Sequence, residues 1–375
     1  MLKILHCADL HLDSPFKSGN AGKSEVRRRE LRGTFSSLIM YIKTNKIDFA
    51  LMSGDLFDSG FMTKDMADYF VKELAAAAPC RFVIAPGNHD PYTQDSVYAK
   101  TVFPDNAFVF SDTALNKFSF PELNTDVYGY AFVKSTLDYN PFAGRSPEDS
   151  SRINILCAHA DVGNPLSVYC PVSQSDIAAC GFDYCAFGHV HNSDGLKKVG
   201  NTFYAYSGCL EGRDFGETGH KGAIYAEITK ERGLTSVKAT GVRFSKRRYE
   251  VLFADVSGCS ESGQLLTGIR NAVSEGKLGS DTLLRLILTG NVSPELVINT
   301  KELEETVGQG LFYIEIIDRT LPLYDVQALE NDPTIRGAFF REMRPCLESG
   351  TPEERAIAAK ALRAGLLALA GEDIS

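Results

Sequence analysis

Residues 2–13 read Leu-Lys-Ile-Leu-His-Cys-Ala-Asp-Leu-His-Leu-Asp, an apolar run that breaks off into Asp9 and His11. The run Leu2–Cys7 has the length and content of a buried strand. Two potential metal ligands then follow where a rigid element yields to its loop. On extended backbone, side chains two residues apart project to the same side, so Asp9 and His11 can share one metal.

The same arrangement recurs along the chain. In FALMSGDLFD (49–58) a strand over Phe49–Ser53 exits through Gly54 and leaves Asp55, whose two carboxylate oxygens can bridge two cations. In RFVIAPGNHD (81–90) a strand over Phe82–Ala85 is followed by Gly87 and by Asn88, which offers an amide oxygen. His89 comes next with a ring free for proton work, and Asp90 is placed to orient an imidazole. The run INILCA (153–158) delivers His159, and YCAF (184–187) delivers Gly188, His189, Val190 and His191. Any one of these is a weak signal, because a lone histidine after a strand is more often structural. Their repetition in order is what points to a site. Four imidazoles, two aspartates and one amide form a mixed nitrogen and oxygen donor set, suited to Mn²⁺, Fe or Zn²⁺ rather than Ca²⁺. His6 and His220 fall outside the series and are read as structural.

Between these strands the periodicity predicts helices over Glu25–Thr44, with Leu31, Phe35, Leu38, Ile39 and Ile42 on one face, and over Lys64–Ala78. Thr202–Ser207 and Ala223–Ile228 read as strands with no helix between them, so the α/β arrangement is mixed rather than purely parallel. After Ser245 the texture changes to shorter segments: strands at Tyr249–Val256, Thr282–Leu288 and Leu311–Ile317, helices at Gly263–Glu275 and Pro294–Val307. That pattern predicts a small α+β domain. From Leu321 onward the chain turns helical, and Thr351-Pro352-Glu353-Glu354 starts a helix with an N-cap, a first-turn proline and a capping-box acid.

At 375 residues, 44% hydrophobic and 23% charged, the chain has the profile of an ordered globular protein. No apolar run reaches the ~18–20 residues that span a bilayer. His6, Asp9 and Asp13 stand where a signal peptide needs an apolar core, so a cytoplasmic protein without a membrane association is expected. Nine cysteines without a CxxC pair read as reduced thiols. The net charge of −9 opposes bulk attraction to phosphates. The clusters Arg27-Arg28-Arg29 and Lys246-Arg247-Arg248 are open to two readings, a solvated surface or a DNA contact.

The ordered set Asp9-Leu10-His11, Gly54-Asp55, Gly87-Asn88-His89-Asp90, His159 and Gly188-His189-Val190-His191 resembles the motifs of the calcineurin-like metallophosphoesterases, with none missing, over about residues 1–230. Within that superfamily ADLHLDSPF, GDLFD and YSGCLEGRDFGETGHKG look most like the SbcD and YhaO-like DNA repair exonucleases, relatives of the double-strand-break repair nuclease. The resemblance implies a four-layer α/β/β/α sandwich over 1–244, a smaller α+β capping and DNA-binding domain over 245–320, and a C-terminal helical segment over 321–375. It implies two Mn²⁺ ions bridged by Asp55, one completed by Asp9, His11 and His191, the other by Asn88, His159 and His189. His89 would stand beside the scissile phosphate. DNA, an SMC-like coiled-coil ATPase and, in some relatives, a second copy of the chain are the implied partners. The expected activity is DNA exonuclease or endonuclease. The competing expectations are hydrolysis of a small phosphodiester, a nucleotide or a phosphoprotein, and a catalytically silent binding module.

Overall fold

The run Leu2–Cys7 forms a strand buried along nearly its whole length, and a strand apolar on both faces needs cover on both. The computed structural model describes residues 1–16, 21–58 and 60–370. Positions 17–20 and 59 of the expected first domain, and 371–375 of the expected C-terminal segment, lie outside the described residues. These residues form two units, Met1–Arg248 and Tyr249–Ser375.

In the first unit, strand Leu2–Cys7 lies third in a six-stranded sheet of order Leu234–Arg243, Gly222–Glu231, Leu2–Cys7, Phe49–Met52, Arg81–Ile84, Ala107–Val109. The four strands from Leu2–Cys7 to Ala107–Val109 run parallel. A second six-stranded sheet orders Lys197–Val199, Thr202–Tyr206, Tyr184–Gly188, Ile153–His159, Thr125–Gly129, Asn116–Phe120, parallel in its four central strands. Ile4, Phe49, Leu51 and Val83 of the first sheet meet Val127, Ile155, Cys157 and Tyr184 of the second. The outer face of the first sheet packs under helices Ala21–Asn45 and Lys64–Ala76 through Leu31, Phe35, Leu38, Phe70 and Leu74. Ile177 of the short helix Gln174–Ala179 joins Leu156, Cys185 and Phe187 on the far face of the second. The result is an α/β/β/α sandwich.

Strand Leu234–Arg243, absent from the sequence reading, pairs along its full length with Gly222–Glu231. The hairpin turns through Arg232 (φ 51°) and Gly233 (φ 79°), the doubly left-handed turn usually marked by Asn-Gly. The arginine clusters fit neither sequence reading at their key positions. Arg27 is fully buried, donating to Glu211 Oε2 (3.0 Å) and to the Gly212 carbonyl (2.8 Å), and Arg247 Nε donates to Glu30 (3.0 Å).

In the second unit, strands Arg248–Asp255, Thr282–Thr289 and Tyr313–Asp318 form a three-stranded sheet. Helices Ser262–Glu275 and Thr300–Val307 contribute Leu265, Ile269 and Val307 to its core. The second helix begins later than its apolar pattern suggests, because Asn291–Val292 pairs with Leu321–Pro322 and Asn299 supplies the N-cap. Helices Ile335–Glu348 and Pro352–Leu369 pack around Phe340, Leu362 and Leu366. The second of them starts with the capping box of Thr351 and Glu354.

His6 links the two sheets of the first unit. Its Nε2 donates to the Phe187 carbonyl (3.1 Å), which fixes the tautomer whose Nδ1 accepts from the Tyr184 hydroxyl (3.0 Å). Burial pushes its pKa down to about 3, so the folded protein keeps it neutral where the unfolded chain, titrating near 6.5, takes up a proton. Stability from this group is therefore lost as pH falls below about 6.5, by up to about 1.4 kcal/mol per pH unit. Urea denaturation of wild type and His6→Gln between pH 5 and 7 checks this. The variant is expected to show the shallower dependence on pH, and equal slopes would refute it.

Candidate metal centre

The parallel strands of both sheets end on one edge, at Cys7, Met52, Ile84, His159 and Gly188, where α/β sheets hold their ligands. The loop after Leu2–Cys7 is laced to the loop after Phe49–Met52. Asp9 N donates to the Gly54 carbonyl (3.0 Å), His11 N to Asp55 (3.0 Å) and Leu12 N to Leu56 (2.8 Å). Asp9 and His11 do not lie on extended backbone: their φ values are 52° and 47°, and Asp55 and His189 are at 52° and 107°. These are left-handed conformations that cost non-glycine residues on the order of 1 kcal/mol or more each. What aims Asp9 and His11 together is this curled turn, not strand alternation.

Two glycines make the approach possible. A Cβ on Gly54, itself at φ +88°, would lie 2.5 Å from His159 Nδ1, and one on Gly87 would lie 2.2 Å from Asp55 Oδ1. Gly54 is thus needed where loops of the two sheets meet, and Gly87 where two loops of the first sheet meet.

Among the described residues, the expected ligands alone make up two of the groups in which donor atoms converge. Asp9, His11 and His191 place one ligand atom each within 4.8 Å of one another, and so do Asp9, Asp55 and His159. Asp9 belongs to both groups, and Asp55, the bridging residue that the resemblance implies, belongs to the second. Asn88 Oδ1 is 2.9 Å from His159 Nε2, which is 3.4 Å from Asp55 Oδ2. His189 stands apart from both groups. Its Nε2 is 3.9 Å from Asp161, its ring packs against His159 at 5.3 Å, and its backbone N–H donates to both oxygens of Asp9 (3.2 Å). Burial and the neighbouring His159 lower its pKa to about 4, so it is neutral at physiological pH.

The tautomers test whether these residues suit a cation. His11 Nδ1 faces Asp58 (3.0 Å), His191 Nδ1 faces Glu217 (2.6 Å) and His159 Nδ1 faces the Ser53 carbonyl (3.0 Å). Each partner can only accept, so each Nδ1 carries the hydrogen and each Nε2 turns its lone pair inward. His11 Nε2 and His191 Nε2 then confront each other at 3.3 Å, with Asp9 Oδ1 3.6 Å from the latter. Acceptors this close need positive charge among them, a proton or a metal ion. The donor set fits the metal.

Asp58 and Glu217 are the residues that sequence reasoning missed. Both lie in stretches quoted for their resemblance, but nothing in spacing distinguishes an acid that steadies an imidazole from one in solvent. Asp58 corrects the reading of Asp90. Among the described residues the Asp90 carboxylate hydrogen-bonds to backbone and to a phenol rather than to an imidazole: it accepts from the backbone N–H groups of Gly87 (2.7 Å), Asp55 (3.1 Å), Leu56 (2.7 Å) and Phe57 (3.2 Å) and from the Tyr98 hydroxyl (2.6 Å). Burial and the charge of Asp55 raise its pKa to about 6. Asp90 is the clasp of two loops. The orienting contacts belong to Asp58, whose Oδ1 meets both His11 Nδ1 and His89 Nδ1 (2.7 Å).

His89 is half-exposed on a cavity of about 620 Å³, with Asn88, Asp58 and Arg213 also in its wall. The hydrogen bond to Asp58 outweighs burial and raises its pKa, favouring the protonated ring. Arg213 reaches Asp58 Oδ2 at 3.3 Å. At such a place a protonated imidazole can serve as a proton donor to a bound group.

Residues 2–193 match the family described as Calcineurin-like phosphoesterase. The chain is 27% identical over 312 residues to the uncharacterized metallophosphoesterase YhaO of Bacillus subtilis, an overlap of 79% of this chain and 74% of that one. Among solved structures, a dimetal phosphatase from Danio rerio overlaps at TM-score 0.41 and 11% identity, covering 64% of this chain and 96% of that one. A Vps29 variant from Entamoeba histolytica overlaps at TM-score 0.27 and 12% identity, covering 64% and 100%.

Removing the charge that steadies an imidazole weakens metal binding typically ~10–100-fold. Glu217→Gln is therefore expected to need that much more Mn²⁺ for half-saturation in a calorimetric titration, with its circular dichroism unchanged. A titration superimposable on wild type would show that Glu217 does not support His191.

Proposed function

Because the chain belongs to the calcineurin-like phosphoesterase family, we propose that it hydrolyses phosphodiester bonds in DNA as a metal-dependent nuclease. Two divalent ions are proposed, Mn²⁺ ahead of Fe or Zn²⁺, held by Asp9, His11, Asp55, Asn88, His159, His189 and His191. The observation that carries the reading is the set of inward-facing acceptors at His11, His191 and Asp9. When bound, such ions supply Lewis acidity toward phosphate oxygens and acidify the attacking water. The chain's own residues do the rest. Left-handed backbone at Asp9, His11 and Asp55 pre-positions the donors. His89, whose protonated form the hydrogen bond to Asp58 favours, donates to the leaving oxygen.

What supports a polymeric substrate is the second unit, Tyr249–Ser375, an addition that hydrolysis of a small molecule would not require. An SMC-like coiled-coil ATPase, docking on helices Ile335–Glu348 and Pro352–Leu369, is part of the same proposal. A second reading, hydrolysis of a small phosphodiester, a nucleotide or a phosphoprotein, is favoured by the commitment of Arg27 to Glu211 and Arg247 to Glu30 in a chain of net charge −9.

Purified full-length protein with Mn²⁺ or with EDTA, given linear duplex DNA, single-stranded DNA and bis(p-nitrophenyl) phosphate, separates these readings. Metal-dependent DNA cleavage is the expected result. Cleavage of the small diester alone selects the second reading, and cleavage of none defeats the nuclease reading. His89→Ala is expected to bind Mn²⁺ like wild type while losing ~10²–10⁴ in kcat; parallel loss of metal would make His89 a ligand instead. Since Asp58 raises the pKa of His89, the acid form persists to higher pH in wild type. Asp58→Asn is expected to move the alkaline limb of the kcat profile to lower pH, and an unmoved limb would remove His89 from the proton-donor role.

A further inference from the structure

We propose that Arg213 grips a phosphate group of the substrate, an assignment that rests on the phosphoesterase reading above and names a substrate contact within it. Arg213 lies beyond residues 2–193, the stretch matched to the family, in a segment built to hold it still. Two residues before it, Glu211 is buried and accepts from Arg27 (3.0 Å), from Thr34 Oγ1 (2.7 Å) and from the Lys246 backbone N–H (2.7 Å). Its neighbour Gly212 gives its carbonyl to Arg27 (2.8 Å). Four residues after it, Glu217 joins His191 Nδ1 (2.6 Å) to the Arg213 backbone N–H (2.7 Å). The segment that steadies a metal-facing imidazole therefore also fixes the Cα of Arg213.

The side chain is fixed as well. Its guanidinium reaches Asp58 Oδ2 at 3.3 Å, on the same carboxylate whose Oδ1 holds His89 Nδ1 at 2.7 Å. Asp58 thus sets the proposed proton donor and a planar cation side by side in the wall of the 620 Å³ cavity. Among the described residues lining that cavity, Arg213 is the only permanently charged cation. A phosphate entering there also meets the field of Asp9, Asp55, Asp58 and Glu217. A guanidinium counters that field and matches two phosphate oxygens with parallel N–H donors. Holding it against Asp58 in advance removes most of the ordering cost of such a contact.

The alternative role, an ion pair that merely props Asp58 and through it His11, makes different predictions. Inorganic phosphate is titrated calorimetrically into the full-length protein loaded with Mn²⁺, and Mn²⁺ separately into the metal-free protein, for wild type, Arg213→Lys and Arg213→Gln. The expected result is a phosphate Kd raised about 10-fold or more in Arg213→Gln, a smaller rise in Arg213→Lys, and an unchanged Mn²⁺ Kd. An unchanged phosphate Kd in Arg213→Gln overturns the proposal. Phosphate and Mn²⁺ affinities falling together in both variants overturns it too, because Arg213 would then act only through Asp58. Because binding is read without turnover, phosphate held through Arg213 by a protein that cleaves neither DNA nor bis(p-nitrophenyl) phosphate would uphold this contact and defeat the nuclease reading.

Discussion

The structure of the first unit is organised around one electrostatic constraint: buried carboxylates and imidazole lone pairs aimed at the same small volume. Asp9 and Asp55 are almost fully buried, and an isolated buried charge is too costly to persist without a counter-charge. His11, His159 and His191 hold their Nδ1 hydrogens outward on Asp58, Ser53 and Glu217, so in the neutral ring each Nε2 presents a lone pair to the interior. The same outward bonds that lock the rings make the interior a site for positive charge. Fold and chemistry are coupled through those hydrogen bonds.

Holding such a cluster requires backbone conformations that the chain does not adopt by preference. Left-handed turns at Asp9, His11 and Asp55 persist because neighbouring strands over-determine them. Asp90 is central to that restraint, since its carboxylate gathers backbone N–H groups from the loop after Phe49–Met52 and from the loop after Arg81–Ile84. A residue that directly follows Asn88 and His89 in sequence thus contributes by geometry rather than by chemistry. Asp58 has the complementary role, joining His11, His89, Ser14 and Arg213 on one carboxylate.

The layers behind the site explain its rigidity. Both sheets bury apolar side chains between them, and His6 bridges them by two hydrogen bonds within that interior. The edge where the strands end is therefore held from behind, while its loops are free to carry polar groups. The long helix Ala21–Asn45 adds a polar anchor to its apolar face, for Arg27 pairs with Glu211 in full burial. A buried pair of this kind is weak support for net stability, but it sets the position of the segment that carries Arg213 and Glu217.

The strands Leu2–Cys7, Ile153–His159 and Tyr184–Gly188, the helices over the first sheet, and the succession of Asp, Asn and His at strand ends were all legible in the amino-acid order. They depend on local periodicity and on residue type, and both are properties of short segments. The hairpin through Arg232 and Gly233, the burial of Arg27, the clasping role of Asp90, and the contacts of Asp58 and Glu217 with imidazoles 47 and 26 residues away were not. Whether an acid faces solvent, a backbone amide or a ring is set by which distant loop folds against it. Residue order alone determined which candidate ligands the chain offers and in what sequence; only the tertiary structure decided which hydrogen bond each would make, because those bonds close between segments that meet only when the two sheets pack.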